Sequence, residues 1–244
     1  MTALLAVEGV SKRFGGLLAT NQVSFEVKDG ETLFIVGPNG AGKTTLFNLI
    51  SGFLAPDQGV IRFAGRALDA RPHIAARLGI GRTFQIVKPL KNLSVLENVM
   101  LGAFLHTRRR AEAAARAREV LAFLQMEAVA DLPASGLGLA TLKRLEIARA
   151  LATRPKLILL DEVVAGLPTS EALALAALLQ RLPEWGVAAV AGVEHVMQVV
   201  MKIAQRVIVL DRGALIAEGA PAEVVRRPEV IEAYLGAKYK EVIG

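Results

Sequence analysis

Residues 37–45 read Gly37-Pro38-Asn39-Gly40-Ala41-Gly42-Lys43-Thr44-Thr45, directly after the apolar run Thr32-Leu33-Phe34-Ile35-Val36. The first eight match Gly-x4-Gly-Lys-[Ser/Thr] without exception. A helical pattern over residues 43–51 follows and is closed by Gly52. Strand, glycine-rich turn and helix in that order are the context in which this motif carries a mechanism. Glycines allow φ > 0 and remove side chains, so consecutive backbone N–H groups can turn toward phosphate oxygens. The helix N-terminus adds a favourable dipole for negative charge. Lys43 is expected to reach the β- and γ-phosphates of ATP, and the Thr44 hydroxyl to ligate Mg²⁺. A glycine-rich turn before an ordinary helix, the competing reading, does not account for the complete motif in this context.

Working outward, residues 3–36 alternate short apolar segments with turn signals: LLAVEGV, Gly15-Gly16, VSFEV, Asp29-Gly30, TLFIV. The short connections predict strands that are partly antiparallel. VIRFAG, after Pro56-Asp57-Gln58-Gly59, reads as another strand. From about Ser94 to Ala130, Ala, Arg, Glu and Leu dominate and turn residues thin out, which predicts helix. A helix over 142–152 precedes Pro155 and the strand KLILLD. Beyond it the chain alternates: helix 170–181, strand VAAVAGV, helix 196–203, strand RVIVLD, a hairpin at Gly213, and a C-terminal helix over 224–240. Strand–helix alternation predicts a parallel, doubly wound α/β core, decorated by an antiparallel β piece and a helical insertion.

KLILLDEV sets Asp161 and Glu162 at the end of four apolar residues. A buried strand delivers such carboxylates to the C-terminal edge of the sheet, where open α/β folds bind ligands. Strands often end in acids, so the signal gains force only beside the phosphate loop. With it, Asp161 is expected to hold Mg²⁺ through its water shell, and Glu162 to polarise or deprotonate the attacking water.

Composition narrows the remaining classes. The 244 residues are 53% hydrophobic and 21% charged, with a net charge of +6 and no cysteine. That is a globular balance, without a disulfide framework or thiolate metal site. No stretch approaches the roughly 20 apolar residues that cross a bilayer. The N-terminus lacks a basic segment followed by a long apolar one, so no secretory signal is expected. The basic excess lacks the interleaved aromatics of a nucleic-acid stripe, and no nucleic acid is expected as a partner. Arg108-Arg109-Arg110 reads as a solvated helix start.

Together VSKRFGGLLATNQVSF, GPNGAGKTTLFNLISG, GIGRTFQ, RLEIARAL, DEVVAGL and VEHVMQVVMKIAQRVIVLDRGALIAEGAP resemble the nucleotide-binding subunit of ATP-binding-cassette (ABC) transporters, most closely the ATPases of branched-chain amino-acid importers. The resemblance covers essentially the whole chain. It implies one nucleotide-binding domain over 1–244: a P-loop NTPase (RecA-like) core, an antiparallel β subdomain, and a helical subdomain over about 86–152. It also implies that Phe14 stacks on adenine, that Gln85 contacts Mg²⁺ and the attacking water, and that His195 contacts the γ-phosphate. The chain would sit at the cytoplasmic face of the inner or plasma membrane, against transmembrane permease subunits and a second ABC ATPase. An extracytoplasmic solute-binding protein could complete the system. Residues 86–98, with Ile86, Val87, Leu90 and Leu93, would receive a permease helix, although burial within the helical lobe would explain the same residues.

One segment departs from the family. Its Leu-Ser-Gly-Gly-Gln signature falls here on Leu137-Gly138-Leu139-Ala140-Thr141. The family uses this stretch to reach a partner's γ-phosphate with a hydroxyl and the N–H groups of a helix N-terminus. Gly138 removes the hydroxyl, Ala140 replaces the second glycine, and Thr141 stands for the glutamine. The N–H groups and helix dipole survive, while an alanine at 140 tolerates φ > 0 poorly. Either the backbone does the work, with Thr141 supplying a hydroxyl, or the partner is a different ATPase and one of two composite sites is weak. Val163 stands where many members have proline, and residues 165–169 lack the aspartate or asparagine of the dimer-contact loop. A soluble ABC-type ATPase working on nucleic acid or ribosomes is disfavoured by the single phosphate loop, the lack of a long heptad insertion and the lack of cysteine. A non-hydrolysing sensor is disfavoured by Glu162 and His195.

Overall fold

A computed structural model describes residues 3–86 and 88–235. Its chain order is β1 (Leu5–Phe14), β2 (Leu17–Val27), β3 (Thr32–Val36), α1 (Lys43–Ile50), β4 (Gln58–Phe63), β5 (Arg66–Ala67), α2 (Pro72–Leu78) and β6 (Ile80–Arg82). Then follow α3 (Val95–Ala103), α4 (Arg110–Phe123), α5 (Leu139–Ala152), β7 (Leu157–Asp161), α6 (Thr169–Gln180), β8 (Ala189–Val193), α7 (Met197–Ile203), β9 (Arg206–Asp211), β10 (Ala214–Gly219), α8 (Pro221–Val224) and α9 (Pro228–Leu235).

Two sheets form. One is antiparallel, in the order β2-β1-β4-β5; the other has the order β10-β9-β3-β8-β7-β6 and is parallel apart from its edge strand β10. The parallel strands are apolar along their interiors, with polar residues confined to their ends, because both faces of their sheet are covered. Alternation divides them between two cores. Phe34 and Val36 of β3, Ile158 and Leu160 of β7, and Val207 and Val209 of β9 join the cluster built with helices α3 to α7. Leu33, Ile35, Leu157, Leu159, Ile208 and Leu210 point the other way, into a cluster with α1 and the antiparallel sheet. The run TLFIV, grouped by its turn signals with the N-terminal strands, therefore lies at the centre of the parallel sheet, paired with β8 and β9.

Helix α3 starts with a reciprocal cap, in which Ser94 Oγ accepts from Glu97 N–H and the Glu97 carboxylate accepts from Ser94 N–H. Buried Asn98 donates to the carbonyls of Leu90, Leu93 and Ser94 and accepts from Leu90 N–H, which fixes the strap from 90 to 94. Helices α3, α4 and α5 pack on one another, and α5 reaches β6 and β7.

Several boundaries differ from expectation. Helix α5 begins at Leu139 rather than 142, because Gly138 is extended and Leu139, Ala140 and Thr141 form the first turn. The strand and helix around His195 are shorter, Ala189–Val193 and Met197–Ile203. The expected C-terminal helix is broken into α8 and α9. Pro228 cannot sit inside a helix and opens a new one instead. Residues 236–240 lie outside the described residues. No helix among the described residues is long and apolar enough to cross a membrane.

Candidate functional site

Parallel strands bring their C-terminal ends to one edge. In register, Ile35 and Asp161 both pair with Val193, and Arg82 pairs with Leu159. The residues that follow β3, β7, β8 and β6 therefore converge: the phosphate loop, Glu162, His195 and Gln85.

The loop is shaped by its glycines. Gly42 has φ +101°, and a Cβ there would lie 2.3 Å from the Ala19 carbonyl oxygen; at Gly37 a Cβ would lie 2.1 Å from that of Leu210. Neither position can take a side chain without moving backbone. Lys43 turns back beneath the loop, its Nζ donating to the carbonyls of Gly37 at 2.7 Å and Pro38 at 2.9 Å. Burial pushes its pKa down, against the pull of Glu162 and Asp161 upward. Asn39, Gly40 and Thr44 are exposed, Pro38 and Thr45 half-buried, and Ala41 buried.

Gln85 Nε2 donates to Glu162 Oε2 at 2.7 Å, and His195 Nε2 lies 3.1 Å from Glu162 Oε1. An ionised carboxylate only accepts, so this contact requires the proton of a neutral His195 to be on Nε2. Glu162 itself has φ +50°, a conformation costly for a residue with a Cβ. Three contacts to its backbone hold it there: its N–H donates to Val193 O at 2.9 Å, and its carbonyl accepts from Lys143 Nζ at 2.8 Å and from Ala165 N–H at 3.2 Å.

These groups share a cleft of about 500 Å³ whose lining includes Phe14, residues 39–45, Gln85, Glu162, His195 and Arg212. Phe14 is half exposed in it. Thr44, Gln85 and Asp161 together line an adjoining cleft of about 480 Å³. Their hydroxyl, amide and carboxylate oxygens suit a hard cation that keeps waters and takes its remaining ligands from a nucleotide. Mg²⁺ therefore fits these donors.

Asp161 is buried and paired with Arg82, Nη2 to Oδ2 3.0 Å. Burial pushes the Asp161 carboxyl up, and Arg82 pulls it back down. Arg82 Nη1 also donates to Asn48 Oδ1 and Ser51 Oγ, both at 2.7 Å. Its guanidinium lies within 5.1–5.8 Å of the ring centres of Phe47, Phe53 and Phe84.

Gly138, Leu139, Ala140 and Thr141 do not line either cleft among the described residues; they form the outward start of α5. The first helical bond runs from Leu142 N–H to Gly138 O, so the earlier N–H groups have no intrahelical acceptor. Ala140 sits within the right-handed helix and has no positive φ, so the conformational objection to it does not apply. Leu139 packs against Gly166 of the following loop, its Cδ2 3.2 Å from where a Cβ would stand.

Sequence reading missed Arg82, Lys143 and Glu194. Glu194 is almost fully buried, next to His195. One oxygen accepts from Val164 N–H at 3.0 Å and the other is buried without a partner. Burial pushes the carboxyl up to about 7. The unfolded group ionises near its ordinary value of 4.5 while the folded one stays protonated, so stability falls as pH rises between these values and levels off above about 7. Glu194→Gln keeps the acceptor for Val164 and cannot ionise. Its unfolding free energy relative to the native chain should rise by about 2–3 kcal/mol from pH 5 to pH 7. Denaturant titrations of both proteins across that range measure it, and a pH-independent difference would refute the assignment.

The family described as "ABC transporter" matches residues 20–165, and a second, "Branched-chain amino acid ATP-binding cassette transporter", matches residues 214–240. The high-affinity branched-chain amino acid transport ATP-binding protein LivG of Salmonella typhimurium is 40% identical over 96% of this chain and 98% of its own. An ATP-binding cassette of an ABC transporter, crystallised in its ADP conformation, superposes with a TM-score of 0.87 at 32% identity, covering 97% of this chain and 100% of its own. A bacterial ABC transporter cassette solved as a dimer superposes with a TM-score of 0.80 at 28% identity, over 89% and 98% of the two chains. A phosphate loop, a carboxylate pair and a strand-end histidine at one sheet edge, in a chain with these relatives, show that it belongs to the ABC transporter family, as an ATP-binding subunit homologous to the branched-chain amino acid transport ATPases.

Proposed function

We propose that this chain hydrolyses ATP, paired with a second ABC ATPase, to power a membrane importer of branched-chain amino acids or a chemically similar small solute. The observation that carries the reading is the meeting of Gln85, Glu162 and His195 in the cleft of the phosphate loop. The N–H groups of the loop and Lys43 would bind the phosphates, with Phe14 against the adenine. Thr44, Asp161 and Gln85 would hold Mg²⁺, which supplies charge neutralisation at the β- and γ-phosphates. Glu162 would take the proton of a water positioned with Gln85 as that water's oxygen attacks the γ-phosphorus and the bond to the bridging oxygen breaks, leaving ADP and phosphate. His195 would donate from Nε2 to the γ-phosphate.

The other half of such a site must come from outside the chain, because residues 138–141 stand away from its own clefts. Their free N–H groups would meet the partner's γ-phosphate across a dimer like that of the related cassette. The chain would form one nucleotide-binding domain whose helical lobe spans about 86–152, lying at the cytoplasmic face of the membrane. Exposed Phe53, Phe84 and Leu101 line a groove between sheet and helices, and exposed Ile86 lines an adjoining cleft with Phe84; Leu90 is exposed as well. These residues offer an apolar seat for a permease helix. Val87, counted in the same surface, lies outside the described residues.

Affinity purification through a tag on the chain, from detergent-solubilised membranes, tests the assembly. The expected result is copurification of permease subunits and an ATPase, with ATP turnover stimulated by an extracytoplasmic binding protein loaded with a branched-chain amino acid. Stimulation by urea or amide carriers, or retention of lipopolysaccharide, would replace the cargo. Recovery with ribosomes or nucleic acid instead would overturn the transport reading.

A further inference from the structure

Lys143 belongs to no motif named so far, yet it is almost fully buried and touches two of the site's loops at once. Its Nζ donates to the carbonyl of Glu162 at 2.8 Å and to that of Gln85 at 3.3 Å. Burying an ammonium is costly unless it is paired and hydrogen-bonded. Burial pushes the Lys143 pKa down, and the nearby Glu194, Glu162, Asp161 and Glu146 side chains pull it back up. Its ammonium reaches the backbone of both loops, and the backbone it holds is unusual. Glu162 has φ +50°, which local sterics disfavour for a residue with a Cβ. Such a conformation persists only where the surroundings over-determine it.

Lys143 stands one helical turn after Leu139 on α5, the helix whose start carries residues 138–141. We propose that Lys143 is a positioning residue, fastening the backbone of Glu162 and Gln85 to α5, so that displacement of α5 by a partner at its N-terminus is felt at the chain's own hydrolytic carboxylate. The inference rests on the proposed hydrolytic role of Glu162. It adds to it a route within one chain between the surface offered to the partner's nucleotide and the carboxylate that acts on its own. Lys143 touches neither nucleotide nor water in this role; it acts through the two carbonyls.

Two substitutions separate positioning from mere stability. Lys143→Met fills the same space without donating, and Lys143→Arg retains donors for both carbonyls. In the full chain purified with its copurifying subunits, Lys143→Met should lower kcat by about 10–100-fold with KM for Mg·ATP within about threefold, while Lys143→Arg keeps at least about a third of kcat. Amide hydrogen exchange supplies a readout free of turnover. Lys143→Met should speed exchange at residues 162–165 by about tenfold or more and leave residues 206–211 of β9 unchanged. Equal exchange in Lys143→Met and the native chain, acceleration spread evenly over the protein, or Lys143→Arg as impaired as Lys143→Met would each overturn the proposal. Absence of turnover in the unsubstituted complex would count against the hydrolytic reading alone, since the exchange pattern still decides what Lys143 holds.

Discussion

Replacing Glu162 with glutamine should reduce kcat for ATP hydrolysis by about 10²–10⁴-fold, the usual contribution of a positioned general base. The substitution nearly preserves shape and leaves Lys43, Thr44 and Asp161 untouched, so Mg·ATP should still bind. What changes is proton acceptance. A carboxylate offers an acceptor to each of two donors, and here both are used, one by Gln85 Nε2 and the other by His195 Nε2. A glutamine amide has one acceptor oxygen and one donor nitrogen, so both contacts survive only if Gln85 turns its amide over or His195 moves its proton to Nδ1. The loss is thus expected to exceed that of charge alone, with Gln85 or His195 rearranged.

Two measurements check it. Single-turnover hydrolysis in the complex should fall by the stated factor, and the variant should retain ATP, unhydrolysed, in a dimer stable enough to isolate by size exclusion. Hydrolysis within about tenfold of the native rate would remove Glu162 from the proton path. An inert variant that binds ATP but never dimerises would leave the transport motor without its mechanism.

How far the site was legible depends on how far apart its parts lie along the chain. The phosphate loop is a local object: strand, glycines, lysine and helix start fall within 20 consecutive residues, and every one of them was readable. Asp161 and Glu162 were readable because an apolar strand ends at them, and parallel strands deliver their ends to one edge; His195 also follows an apolar strand, but the resemblance supplied its role. Gln85 follows a three-residue strand, too short to announce itself, and only the resemblance singled it out. Arg82, Glu194 and Lys143 escaped because each is defined by a partner distant in sequence: 79 residues from Arg82 to Asp161, 30 from Glu194 to Val164, 19 from Lys143 to Glu162. A charged residue among apolar neighbours gives no sign of which backbone group it will meet. The same limit governs the sheets. The composition of TLFIV predicts a buried strand but not that its neighbours are β8 and β9, more than 150 residues on. Where a rule was local it could have been applied, as Pro228 ending one helix and starting the next shows.

The largest expected effect on stability belongs to Arg82. Its side chain and that of Asp161 are 7% and 5% exposed, so each charge depends on the other rather than on water. Removing one partner of a buried pair strands the remaining charge, at a cost of about 3–5 kcal/mol. Arg82→Met should cost about that much, and further losses come from Asn48 and Ser51, which give up their 2.7 Å bonds to Nη1. Asp161 can respond only by protonating. Burial already pushes its carboxyl up, and without the guanidinium nothing of comparable strength opposes the rise. The damage should therefore shrink toward acid pH, because the group is driven neutral there in both folded and unfolded chains. Pairing the substitution with Asp161→Asn tests the cause directly. If a stranded charge is the main cost, the double variant should be more stable than Arg82→Met alone by about 2 kcal/mol or more at neutral pH, and the difference should vanish near pH 4. If the two losses simply add, the damage comes instead from the guanidinium's packing among Phe47, Phe53 and Phe84, and Arg82 is a clamp on the aromatic rings rather than a counter-charge to Asp161.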